Sequence, residues 1–229
     1  PDKLIGLEIV MWEVDMGIAA LTDELHRAMK LEDKLVYARV LGMLDNDAGW
    51  EILQKAVDSF DAWDEGWNYR GMGQFGMSMS YLDSLVIALG KTSKQEVLPS
   101  VIRLARMLTP QSEFSHFRAV AVAFETLANE QAAKVLFDLL QMKGVTGHSM
   151  KTIEEAIQKT PPGSEDTSTR NNALREIILG RSLFRCGDYN GLGNRIMNDY
   201  SNDLRGHFYR HATGVLKLGP FNRLPKVEL

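Results

Sequence analysis

Residues 118–140 read RAVAVAFETLANEQAAKVLFDLL, and this stretch decides the fold class. With the residue just ahead of it, its apolar positions Phe117, Val120, Phe124 and Leu127 return at helical spacing and line one face of a helix. Asn129 interrupts the stripe, and a second amphipathic run follows over 130–142. An asparagine just before a helix accepts one of the orphan amides of its first turn. A break this short forces the two helices to pack antiparallel. The stretch therefore predicts a helical hairpin.

The same grammar recurs on both sides of it. Residues 37–57 (YARVLGMLDNDAGWEILQKAV) and 83–105 (DSLVIALGKTSKQEVLPSVIRLA) are each an apolar helix with small residues, a polar turn and a second amphipathic helix. Further stripes run through Ile5, Ile9, Trp12 and Met16, through Trp50, Leu53, Val57 and Phe60, through Leu98, Val101, Ala105 and Leu108, and through Leu204, Phe208, Ala212 and Val215. Sustained alternation bounded by turn residues is missing throughout, so the expectation is an all-α chain with essentially no sheet. The pairs resemble HEAT repeats, whose usual period is roughly 40 residues, which implies an α-solenoid of antiparallel helix pairs. Residues 1–229 are expected to form a single array. It is broken by an aromatic and glycine-rich insertion at 61–80 and by a second insertion at 144–169 containing Pro161 and Pro162. A basic terminal block follows at 170–217.

Composition narrows the function classes. Hydrophobic residues make up 45% and charged residues 24% of the chain, as in ordinary water-soluble domains. A net charge of −4 gives no global attraction to nucleic acid, and no apolar run approaches the roughly 20 residues that span a bilayer. Cys186 is the only cysteine, which excludes an intrachain disulfide. The chain opens at Pro1, and we expect it to be a piece of a longer protein.

Several strings invite a chemical reading. Gly71-Met72-Gly73-Gln74-Phe75-Gly76 matches the G-x-G-x-x-G of dinucleotide-binding folds, and Glu96 stands where a ribose-binding acid would. That motif needs a buried strand before it, and residues 65–70 (EGWNYR) do not read as one. The wider insertion offers Trp67, Asn68, Tyr69, Arg70 and Gln74 as a candidate ligand or interface platform, since aromatics in loops present large rigid area. The competing reading has its aromatics folded back on the adjacent groove. Near the end, Arg205, His207, Arg210 and His211 form a second candidate surface. His207 and His211 lie four apart on one helix face, as in helical metal sites, with Asp203 four residues earlier. No third ligand is evident, so no metal is assigned; Asp203 reads equally well as an N-cap, and His211 as a buried, hydrogen-bonded histidine. From Arg170 to Lys217 there are seven arginines and one lysine against Glu176, Asp188, Asp199 and Asp203, a set that suits either an acidic partner or inter-helix ion pairs. Nucleophile elbows, H-E-x-x-H and P-loops are absent from the sequence, and no catalytic residue is assigned.

Two segments carry a family resemblance. Residues 65–90 (EGWNYRGMGQFGMSMSYLDSLVIALG) and 171–216 (NNALREIILGRSLFRCGDYNGLGNRIMNDYSNDLRGHFYRHATGVL) resemble the C-terminal helical region of bacterial FAD-dependent oxidoreductase-like proteins. Those proteins place a flavin-binding domain first and a HEAT-like region after it. The resemblance implies an accessory domain that packs on the flavin domain or shapes its substrate cleft, with FAD held by the parent protein and none by this chain. The implied partner is a flavin-binding domain, in the same polypeptide or another, and neither nucleic acid nor membrane. Two other classes compete with it. One is a stand-alone scaffold holding a protein or glycan on a concave face. The other is a hydrolase or lyase using His207, His211 and Tyr69.

Overall fold

The computed structural model describes residues 14–68, 79–160 and 167–220, and every regular element among them is a helix. In chain order these are α1 (Val14–Arg27), α2 (Leu31–Met43), α3 (Trp50–Asp58), α4 (Tyr81–Lys91), α5 (Leu98–Ala105), α6 (Phe114–Leu127), α7 (Glu130–Leu140), α8 (Ile153–Lys159), α9 (Ser168–Arg185), α10 (Leu192–Tyr200) and α11 (Gly206–Leu218). A single 3-10 turn, Gln95–Val97, leads into α5. The hairpin of residues 118–140 forms as α6 and α7. Ala128 turns the chain in the left-handed region (φ 45°, ψ 54°), and the Gln131 amide donates to the Asn129 side chain at 2.8 Å. Phe117, Val120, Phe124 and Leu127 are all fully buried.

The helices pack in two rows. α4 lies between α2 and α6, and α6 lies between α4 and α9. α3, α5 and α7 form the second row, each touching its neighbours in that row and the first-row helices beside it. α1 covers α2, while α10 and α11 cover α9. First-row helices all point the same way, because their contacts advance together. Arg39 meets Ser84 and Gly42 meets Ala88; Asp83 meets His116 and Gly90 meets Ala123; Phe117 meets Arg175 and Glu125 meets Ser182. The contacting residues are 45, 33 and 57 positions apart at the three successive steps, so the spacing is irregular.

α4 is the centre of this row. Every residue from Leu82 to Gly90 is buried, and apart from Asp83 and Ser84 the stretch is apolar on all sides. Its two flanks approach their neighbours at backbone distance. A Cβ on Gly42 of α2 would lie 2.6 Å from the Ala88 carbonyl oxygen, and one on Gly90 would lie 2.3 Å from the Ala123 Cα. Backbone cannot yield as a flexible side chain can, so both contacts require glycine.

Three details differ from the sequence reading. Met16 is exposed, and α1 instead turns Ile18, Leu21 and Leu25 inward. Leu204 precedes α11 and is half exposed, whereas Phe208, Ala212 and Val215 are buried as expected. Asp203 does not cap α11; Arg205 occupies the N-cap position.

Gly90→Ala should lower stability by about 1–3 kcal/mol through overpacking. Gly214→Ala, in α11 with open space around it, should raise stability by roughly 0.5–1 kcal/mol through better helix propensity. Urea denaturation followed by circular dichroism measures both, and equal effects at the two positions would contradict the packing described.

Candidate functional site

Parallel packing sets the N-termini of α4 and α6 side by side, leaving two groups of unbonded amides and two positive dipole ends adjacent. Residues 61–68 form a strap that closes this end. The Leu82 amide donates to Asp64 Oδ2 at 3.0 Å, and the Phe114 amide donates to Asn68 Oδ1 at 2.8 Å. Trp67 and Ser115 exchange two hydrogen bonds: the Trp67 amide donates to Ser115 Oγ at 2.9 Å, and the Ser115 amide donates to the Trp67 carbonyl at 3.0 Å. Trp63 Nε1 donates to the Leu104 carbonyl at 3.1 Å, near the end of α5. The strap is thus a cap for helices distant in sequence. Residues 61–68 contain no strand, the frame a dinucleotide motif needs before its glycines.

Beneath the strap lies a buried acid and imidazole that the sequence reading missed. Asp83 and His116 are essentially inaccessible, and His116 Nδ1 sits 2.7 Å from Asp83 Oδ1. Asp83 also completes a capping box with Ser80: its own amide donates to Ser80 Oγ at 2.9 Å, and its Oδ2 accepts the Ser80 amide at 2.8 Å. Burial alone would push the Asp83 carboxyl up, but hydrogen bonds from His116, Ser115 and Ser80 together hold it below its ordinary value. Asp83 is therefore an acceptor at neutral pH, and His116 Nδ1 carries the proton between them. The Trp63 ring stacks on the imidazole, centroids 4.5 Å apart. His116 Nε2 lies 3.4 Å from Glu113 Oε2, within ion-pair distance but outside hydrogen-bond geometry, and has no hydrogen-bond partner. A Cβ on Gly66 would come within 2.5 Å of that nitrogen, so the strap seats its glycine directly over the ring. The Ser80-x-x-Asp83 spacing was a legible signal for the cap; its pairing with His116 across 33 residues was not.

Of the candidate platform residues, Trp67 and Asn68 are half-buried and act in the strap. Tyr69, Arg70 and Gln74 lie outside the described residues, as do the glycines of 71–76 and the prolines of 161–166. Among the described residues, Asn68 bonds at the head of α6 and Ser80 at the head of α4, at one end of the first row.

The terminal candidates separate by role. Arg205 faces inward: Nε and Nη2 donate to Asp203 at 2.8 and 2.7 Å, Nη2 also donates to the His148 carbonyl, and its guanidinium lies over Phe208. Asp203 in turn accepts the Met150 amide at 2.9 Å. His207 and Arg210 are exposed. His211 is partly buried, yet its Nε2 is inaccessible and has no hydrogen-bond partner, contrary to the satisfied histidine expected. Desolvation, partial at His207 and stronger at His211, pushes both histidines below their ordinary value, with Arg170 adding to this at His207 and Arg181 at His211. Clusters of three or more His, Cys, Asp or Glu able to hold a metal do not occur among the described residues.

Four arginines of the basic block, Arg175, Arg181, Arg185 and Arg205, bind other helices or loops. Arg181 donates to Glu125 at 2.9 Å, and Arg185 lies 3.7 Å from the same carboxylate while also donating to the Gly219 carbonyl. Arg175, buried in α9, donates to the Pro110 and Ser112 carbonyls and covers the Phe117 ring at 4.6 Å. Glu176 accepts the Gly147 and His148 amides at 2.9 and 2.8 Å and the Tyr200 hydroxyl at 2.8 Å, which fixes the 144–150 loop to α9 and α10. Burial and the Glu176 charge push the Tyr200 phenol well above its ordinary value.

Compared with known proteins, the chain matches no protein-family model, no curated protein and no solved structure.

Asp83→Ala and His116→Ala should each cost about 1–3 kcal/mol, the range for stranding a buried polar partner. The double variant should cost clearly less than their sum, and strict additivity in denaturation would deny that they act as a unit. Because the folded Asp83 carboxyl titrates below its unfolded value of about 4, its contribution is complete above that pH and is lost as pH falls through the lower folded value. Asp83→Asn should accordingly flatten the acid limb of the stability profile. His211 follows the same sign at higher pH. Its folded value is depressed, so stability declines as pH drops below the ordinary histidine value of about 6.5, and His211→Leu should reduce that decline.

Proposed function

We propose that this chain is a HEAT-like helical module acting as the C-terminal accessory region of a FAD-dependent oxidoreductase-like protein. In this reading it packs on the flavin-binding domain or shapes the substrate cleft, the flavin is held by that domain, and the module does not catalyse alone. The lineage comes from the resemblance of residues 65–90 and 171–216. One observation supports a bracing role for those same segments. Asn68 and Asp83 in the first, and Arg175, Glu176, Arg181, Arg185, Asp203 and Arg205 in the second, direct their polar groups at other helices and loops. Polar groups used this way make a stiff support with defined ends, the property a catalytic neighbour needs from a module beside its cleft.

The repeat character has its own support. Helix pairs joined by short turns, stacked so that the first members of successive pairs run parallel, are what an array of HEAT-like units requires. The irregular steps fit a diverged array with insertions.

The test is the native reading frame upstream of Pro1 and the protein it encodes. The expected result is a strand, a G-x-G-x-x-G turn and a helix in that upstream sequence, with the purified full-length protein carrying a flavin absorption spectrum. A frame that begins close to Pro1, or a full-length protein without flavin, would overturn the proposal and leave the stand-alone scaffold as the reading to pursue.

A further inference from the structure

We draw no further inference here: the strongest candidate, the exposed apolar stripe of Ile153 and Ile157 on the short surface helix α8, is an unpartnered face, and nothing in the structure shows what covers it.

Discussion

The backbone contact of α4 with both α2 and α6 is the constraint from which the remaining features follow. Gly42 against Ala88 and Gly90 against Ala123 let three helices pack without side chains between them at those points. The three helices also run in one direction, because the second member of each pair returns the chain, and alignment has an electrostatic consequence. Parallel dipoles bring like ends together, so the heads of α4 and α6 form a locally positive, hydrogen-bond-deficient surface. Acidic and amide side chains are the natural remedy, and the molecule supplies Asp83 from within α4 and Asp64 and Asn68 from the strap.

The same solution recurs elsewhere: an element's loose end is closed by a side chain from a distant part of the chain. Arg103 of α5 donates to the Val57 and Phe60 carbonyls at the end of α3. Lys91 donates to the Met43 carbonyl at the end of α2, and Gln95 donates to the Leu127 carbonyl at the end of α6. Trp63 and Arg175 serve α5 and the loop after it. These bonds tie neighbouring pairs together as well as capping them. Helices held this way resist sliding of one pair against the next, because any slip would strand several part-buried carbonyls at once.

Much of this was readable in the chain. The stripes of α3, α5, α6 and α11, the Asn129 cap and the absence of strand alternation led directly to helices and to their pairing, because period and capping are local properties. The candidate surfaces were less legible. Arg205 and His207 are two residues apart in sequence, yet one is bound to Asp203 and the other exposed. Composition identified a basic block; only packing distinguished the arginines that brace α6 and α9 from Arg210, which is exposed.

The sequence by itself determined that this is an all-helical chain of short-turn pairs, since each helix carries its own apolar stripe and its own stop signals. Tertiary structure alone decided that α2, α4, α6 and α9 run parallel, that Asp83 meets His116, and that a tryptophan and glycine strap serves as a cap. Those facts depend on which helix lies beside which, and a capping side chain that acts across dozens of residues leaves no periodic trace in the sequence. The glycines of 42 and 90 show the difference most plainly. In the sequence they are small residues at the ends of apolar helices, and in the fold they are the places where the helices touch.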